Sequence, residues 1–335
     1  MNIRQLGSHG PTVSAIGLGT MGMSDAYGPA DRTESIATIH AALDQGVTLL
    51  DTGDFYGMGH NEMLVGEALH ARKREDVQIS VKFGALRGPM PREFNGYDSR
   101  PAAIRNFVAY SLKRLGVDYL DIYRPARLDP KVPIEETVGA IAGLIRQGYV
   151  RYIGLSEVGA QTIRRAQAVH PIADLQIEYS LISRGIEREI LPTCRELGIG
   201  ITAYGVLSRG LLSGRFQQTS HKSDFRSASP RFVGANLDAN LALVEKLRTV
   251  AQTIGGSVTQ VAIAWVMARA EAQRAAVIPV IGARRRDQLA ESLGALSVQL
   301  SEAQLAEIER AVPPNAAAGE RYPAAHLADM DSERR

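Results

Sequence analysis

The chain has 335 residues, 45% of them hydrophobic and 22% charged, with 32 glycines and 15 prolines, the make-up of a globular protein able to bury a large core. A net charge of +2 gives no basic surface for nucleic acid or an anionic membrane; no apolar run reaches spanning length, and the opening MNIRQLGSHG lacks a signal-peptide core. The single cysteine, Cys194, excludes an internal disulfide and suits a reducing, cytoplasmic setting; lying on a helical stretch, it reads as a packed thiol.

Residues 2–15 hold two short extended segments around Ser8-His9-Gly10-Pro11, which predicts a β-hairpin ahead of the main fold. After it, strands and helices alternate. Strands are expected near 15–19, 47–51, 77–82, 119–123, 150–155, 173–176, 200–204 and 276–281, and helices near 32–45, 61–71, 101–115, 134–147, 160–169, 187–197, 257–270 and 287–295. Strict alternation implies a parallel sheet, and eight such pairs favour a closed (β/α)8 TIM barrel, one α/β domain over 1–335, above an open sheet. Two insertions, 87–100 and 213–236, follow the third and seventh strands and emerge at the C-terminal face, where extended loops wall substrate pockets. The tail, 313–335, is polar and rich in proline and alanine, and no element is read in it.

Gly17-Leu18-Gly19-Thr20-Met21-Gly22 matches the G-x-G-x-x-G pattern of dinucleotide-binding sheets. That pattern needs a helix to open at its third glycine. Here Met23 to Pro29 intervenes, so the motif reads as a tight turn off the first barrel strand, with a Rossmann dehydrogenase as the alternative fold.

Three polar residues fall at strand ends or in the loops beyond them: Asp51, Tyr56 and Lys82. Alternation along Val77 to Lys82 puts the lysine in the barrel mouth, where a buried ammonium needs a counter-ion, and Asp51 ends the preceding strand. A cation near a phenol eases its ionisation, which would make Tyr56 a usable general acid. A structural ion pair beside a surface tyrosine satisfies the same spacing.

These motifs, together with Val81-Lys82-Phe83-Gly84, Gly154-Leu155-Ser156-Glu157, Gln176-Ile177-Glu178-Tyr179-Ser180 and Ile281-Gly282-Ala283-Arg284-Arg285, resemble those of the aldo-keto reductases from about Leu6 to Tyr322. The resemblance implies NADPH-dependent reduction of an aldehyde or ketone, with Tyr56 donating the proton, Lys82 tuning it and Asp51 anchoring the lysine. It implies further that Ser156 and Gln176 hold the nicotinamide carboxamide and that Tyr204 stacks on the ring. Gly205, Leu207, Arg209, Gly210 and Leu211 would wrap the pyrophosphate, with Gly282, Arg284 and Arg285 at the adenosine 2′-phosphate, and Gln288, Glu291 and Ser292 at the adenine and ribose. Two arginines ahead of a helix N-terminus suit a phosphate and argue for NADP over NAD; a merely solvated basic run, Arg284-Arg285-Arg286, is the plain alternative. Glu157 replaces an asparagine common in relatives, which leaves its part open.

The family's fourth catalytic residue is a histidine ending the fourth strand. This chain reads Asp121-Ile122-Tyr123-Arg124-Pro125-Ala126-Arg127-Leu128-Asp129-Pro130, with Ala126 in that place. Loss of an oxyanion donor commonly lowers turnover by about 10²–10³-fold. Arg124, on the same strand face, or Arg127 is a candidate substitute; otherwise Tyr56 works alone, the space admits a bulkier substrate, or the protein senses NADPH as a regulatory subunit with little turnover. A small carbonyl compound is the expected partner, against a pocket walled by Phe55, Phe83 and the two insertions; oligomeric state and substrate identity are not readable.

Overall fold

In the computed structural model, which describes residues 1–24, 26–90, 93–219 and 224–334, the alternation closes on itself. The first half of the chain forms β1 (Ile3–Gln5), β2 (Thr12–Ser14), β3 (Gly17–Gly19), α1 (Arg32–Asp44), β4 (Leu49–Gly53), α2 (His60–Leu69), β5 (Gln78–Phe83), β6 (Ala85–Arg87), β7 (Phe94–Tyr97), α3 (Pro101–Leu115), β8 (Leu120–Pro125) and α4 (Ile134–Arg146). The second half forms β9 (Val150–Ser156), α5 (Ala160–Val169), β10 (Ile172–Glu178), α6 (Ile190–Glu196), β11 (Gly200–Tyr204), α7 (Gly234–Ile254), α8 (Val258–Ala272), β12 (Val277–Gly282), α9 (Arg286–Leu293), α10 (Glu302–Ala311) and α11 (Ala324–Ala328). Strands β3, β4, β5, β8, β9, β10, β11 and β12 form a closed parallel barrel, with β12 pairing back onto β3. This is the (β/α)8 TIM barrel.

Period-two alternation decides what each strand buries. On β5, Ile79, Val81 and Phe83 join the apolar layer under the helices, while Ser80 and Lys82 turn to the lumen and meet Asp51. On β8, Ile122 joins Leu6, Val13, Leu49, Ile278 and Val280 in a small lumenal plug. Two residues on, Arg124 reaches across the lumen to Asp174 on β10. The lumen is therefore apolar toward the N-terminal ends of the strands and polar toward the C-terminal ends. The antiparallel β1–β2 hairpin stoppers the apolar end, where the Ser8 N–H donates to the Gly198 carbonyl at 2.6 Å. Gly7 permits that approach: its φ is +67°, and a Cβ there would lie 2.4 Å from the Gly200 nitrogen.

Local signals set the helix ends. The Asp31 side chain accepts from the Glu34 N–H at 2.7 Å to cap α1, and Ser257 with Gln260 forms a capping box on α8. Pro101 opens α3 and left-handed Gly116 ends it.

Helix α7, with 21 residues, is absent from the sequence expectations. Its Gly-Ala-Asn start merges with the preceding polar insertion, although Val244, Leu247 and Ala251 recur at helical spacing and are buried. The insertion expected over 213–236 accordingly ends where α7 begins, and residues 220–223 within it lie outside the described residues. Helix α6 starts at Ile190, after a short turn over Gly185–Glu187, and is shorter than expected. In the insertion over 87–100, β7 pairs antiparallel with β6, and residues 91–92 lie outside the described residues. Among the described residues no single helix is long and apolar enough to cross a membrane.

Candidate active site

Strands β4 and β5 pair with Asp51 opposite Ser80 and Gly53 opposite Lys82, which raises a carboxylate and an ammonium into the lumen at the C-terminal ends. Lys82 Nζ is ion-paired with Asp51 Oδ1 and donates to Gln176 Oε1 at 2.8 Å. Gln176 Nε2 donates to Asp51 Oδ2 at 2.8 Å, and Ser80 Oγ donates to the same oxygen at 2.9 Å. The pair is thus bridged by one amide from the opposite wall, with every contact buried. Burial pushes the Lys82 ammonium down, and Asp51 opposes that push.

Tyr56 lies above, its ring centroid 5.2 Å from Lys82 Nζ. The turn that carries it passes through left-handed Gly57, Met58 and Gly59 into α2. At Gly59 a Cβ would stand 2.7 Å from the Arg114 guanidinium. Asn61, in the first turn of α2, accepts from Thr20 Oγ1 (2.6 Å) and Thr52 Oγ1 (2.7 Å) and donates to the Thr20 carbonyl and Ser24 Oγ. This buried amide ties the tyrosine's loop to β3 and β4.

One sequence expectation is corrected here: the phenol is not eased toward ionisation. Burial pushes Tyr56 well above the ordinary range, the Asp51 carboxylate pushes further, and the Arg127 guanidinium opposes them only in part. Desolvation outweighs the field of a lysine already neutralised by its aspartate. Tyr56 consequently holds its proton at neutral pH.

The glycine pattern near the start behaves as a turn. Met21–Met23 is a single short turn and α1 begins only at Arg32, so no helix N-terminus stands behind Gly22.

Asp54, two residues before Tyr56, receives the Gly84 N–H at 3.2 Å. Burial and then the Glu62 carboxylate push it up to about 7. A carboxyl raised in the folded state contributes stability that is fully present below about pH 4 and declines as pH rises toward 7. Asp54→Asn is expected to raise the melting temperature at pH 8 and leave it unchanged at pH 4. Equal shifts at both pH values would assign the effect to packing.

Ala126 is buried, and its N–H donates to the Phe83 carbonyl at 2.8 Å. Arg124 does not reach the mouth. Its guanidinium is fully buried, donates to Asp174 Oδ2 at 2.8 Å, Ser80 Oγ at 2.9 Å and Thr202 Oγ1 at 3.3 Å, and belongs to the polar layer beneath Asp51. Its expected role as substitute donor is therefore corrected: a cation committed to its own carboxylate is not available to substrate. Phe83 is also withdrawn from the pocket wall, since it is fully buried and stacks on Tyr123 at 4.3 Å.

At the next strands, Ser156 ends β9 and receives Arg127 Nη1 at 3.4 Å. Tyr204 ends β11, and its hydroxyl donates to Glu157 Oε1 at 2.7 Å and meets the Tyr322 hydroxyl at 2.9 Å. Glu157, fully buried with φ +51°, is the hub of this wall. It accepts from Arg321 Nη1 at 3.0 Å and Nη2 at 2.5 Å, from Ser332 Oγ at 2.7 Å and from the Glu178 N–H at 3.0 Å. Burial would push its carboxyl up, but the Arg321 guanidinium holds it well below the usual carboxylate range. The tail without readable elements is thus pinned across the mouth, and α11 brings His326 to 6.4 Å from the Tyr322 ring and 6.3 Å from Phe94 on the β6–β7 hairpin.

The loop after β11 turns through Gly205 (φ +66°), Ser208, Arg209 and Gly210, all left-handed, with Leu207 and Leu211 packed beneath. Ser208 Oγ is buried without a partner. The Arg209 side chain is committed within the protein: it donates to Glu178 Oε2 at 3.1 Å and to the Arg321 carbonyl at 2.6 Å. Beyond β12 and Gly282, Arg284 donates to the Tyr27, Gly28 and Pro29 carbonyls at 3.2–3.4 Å, and its N–H donates to Gln288 Oε1 at 3.0 Å. Arg285 pairs with Asp287 and Arg286 with Glu34 on the exposed rim. A cavity of about 350 Å³ opens beside Arg284, lined also by Tyr27, Arg215, Phe216, Asp224 and Arg226. Burial pushes the Arg284 guanidinium down, and Arg226 and Arg285 add to that by repulsion. Glu291 is bound to Arg215 at 2.7 Å, and Ser292 is buried on α9. Sequence reasoning missed Tyr27, Arg215, Arg226, Arg321 and Tyr322, which come from loops and a tail with no periodic signal.

A closed barrel with an aspartate, a tyrosine and a lysine gathered at its C-terminal mouth defines a class of barrel oxidoreductases. The chain belongs to the aldo/keto reductase family, whose model matches residues 15–313. It is similar to a probable aldo-keto reductase 1 of Glycine max, 44% identical over 322 residues, which are 95% of this chain and 91% of that protein. Among solved structures it resembles a glycerol dehydrogenase from Gluconobacter oxydans, with TM-score 0.81 and 32% identity over 93% of this chain and 96% of that one. It also resembles the holo form of an aldo-keto reductase from Bacillus halodurans, with TM-score 0.78 and 28% identity over 96% and 98% of the two chains.

Proposed function

We propose that this oxidoreductase reduces an aldehyde or ketone to an alcohol with NADPH, and that Tyr56 gives the carbonyl oxygen its proton. The observation that supports this most is the buried Lys82–Asp51–Gln176 arrangement directly under the Tyr56 ring. A buried lysine already satisfied by its aspartate and an amide is a fixed support, and the phenol above it keeps its proton until a stronger base forms. An alkoxide is such a base.

NADPH, when bound, supplies the hydride. Three observations fit the dinucleotide: the unpartnered Ser208 hydroxyl in the left-handed loop, the Ser156 hydroxyl that ends β9 in register with Gln176 of β10, and the cavity where Arg215, Arg226 and Arg284 converge. In this reading Ser156 orients the carboxamide beside Gln176, whose amide Lys82 and Asp51 hold in place, Tyr204 backs the ring, and the loop from Gly205 to Leu211 encloses the pyrophosphate. Mutual repulsion among the cavity arginines is relieved by a dianionic phosphate, which favours NADP over NAD. Arg284→Ala is expected to weaken NADPH binding about tenfold or more while leaving NADH binding unchanged, since a charged hydrogen bond contributes about 1.5–3 kcal/mol. Equal weakening of both cofactors would place Arg284 in loop structure and leave the phosphate to other groups.

The functional test is NADPH oxidation against a panel of aldehydes, ketones and quinones. Ala126, where the resemblance implies a histidine, favours one other reading, an NADPH sensor; tight binding with no turnover on any of the panel would mark it.

A further inference from the structure

We propose that Arg127 supplies a second donor, beside Tyr56, to the carbonyl oxygen, the role that the resemblance gives to an imidazole at position 126. The inference rests on the reductase reading and deepens it.

Arg127 follows Ala126 at the end of β8, and its side chain folds back over the strand end. Nη1 donates to the Ala126 carbonyl at 2.6 Å and reaches Ser156 Oγ at 3.4 Å, on the wall assigned to the nicotinamide. Its Nε is buried with no partner. The neighbouring cations are all committed: Arg124 to Asp174, Arg209 to Glu178 and Arg321 to Glu157. Among the described residues no carboxylate forms a salt bridge with Arg127, and its two bonds go to neutral oxygens. A half-buried guanidinium without a carboxylate is costly unless its site receives negative charge from elsewhere. The groups that feel its field ring the mouth: it lowers Tyr56 and Tyr97, and the Glu157 carboxylate opposes the cost of its burial.

The reaction gives that charge. With NADPH bound, a C–H bond of the cofactor would break to leave NADP+ and its electron pair would form the new C–H bond at the carbonyl carbon; the π pair of the C=O would move to oxygen, the oxygen would take the Tyr56 proton, and the tyrosinate would regain a proton from solvent. Arg127 gives up no proton. It offers N–H donors to oxygen as the negative charge grows, which is stabilisation present mainly in the transition state.

Four proteins test this: wild type, Arg127→Ala, Arg127→Lys and Arg127→Ala combined with Ala126→His. Two readouts are used, aldehyde turnover at saturating NADPH and calorimetric binding of propionate, an anionic probe, to the NADP-saturated protein. Arg127→Ala is expected to lower turnover by about 10²-fold and propionate affinity at least tenfold, with NADP affinity and melting temperature held. Arg127→Lys keeps charge without the fork and should recover part of both, and Ala126→His should restore turnover in the Arg127→Ala background. Unchanged turnover and unchanged propionate binding in Arg127→Ala, with an active wild type, overturn the inference and leave the reductase reading standing. A wild type that reduces nothing but loses propionate when Arg127 is removed fails the reductase reading and keeps Arg127 as the anion site. Loss of NADP affinity equal to the loss of turnover would make Arg127 a cofactor-wall residue and also overturn it.

Discussion

Tyr56→Phe is expected to lower aldehyde turnover by about 10²–10⁴-fold, the range associated with removing a positioned general acid, with dinucleotide affinity unchanged. The substitution removes one hydroxyl and keeps the ring that packs edge-on against Phe55 at 4.8 Å. It should leave the fold intact, because the loop is held by Asn61 and by left-handed glycines. Burial and Asp51 together keep the phenol protonated, so turnover of the unmodified protein should not fall between pH 6 and 9 through loss of the tyrosine's proton. Steady-state kinetics of both proteins across that range checks the point. A phenylalanine variant retaining most of its turnover would mean that the proton comes from another group.

Arg124→Ala should produce the largest loss of stability among the polar layer. Arg124 and Asp174 are both fully buried and 2.8 Å apart. Removing one partner of such a pair costs about 3–5 kcal/mol because the other is left as an uncompensated charge. Replacing both, as in Arg124→Leu with Asp174→Leu, should recover much of that, since apolar groups of similar size cost no charge desolvation. Urea denaturation of the two variants measures the difference. If the single and double variants were equally destabilised, packing and not charge would be the cause. The expectation differs in kind from that of a substrate contact: Arg124 acts beneath the site through Ser80, which touches both Arg124 and Asp51.

The barrel was legible because its signal is periodic. Short apolar runs broken by glycine and polar residues alternate with stretches that repeat at three and four, so a strand such as 200–204 matches the structure end for end. Asp51, Lys82 and their pairing followed from the same alternation. What was not legible lacks a period. Whether Arg124 or Arg127 faces the mouth depends on how β8 ends at Pro125, and strand alternation stops giving information there. Glu157 was visible as an unusual residue, but its role depends on Arg321, 164 positions away in a tail with no helical or strand pattern. The direction in which Tyr56 is shifted is not legible in the sequence, because burial is a property of the whole mouth and cannot be read from the spacing of three residues.

The clamp between Glu157 and Arg321 has a consequence for chimeras. Tails could be grafted between related barrels to move a substrate range from one to another, since α11 and Tyr322 form part of the mouth. Such a graft has two ends. The residue at 157 must travel with the tail, because a donor tail without an arginine at position 321 strands a fully buried carboxylate on β9's wall, and a barrel without an acid at 157 strands the arginine. Two residues on distant parts of the chain are therefore a single transplantable unit.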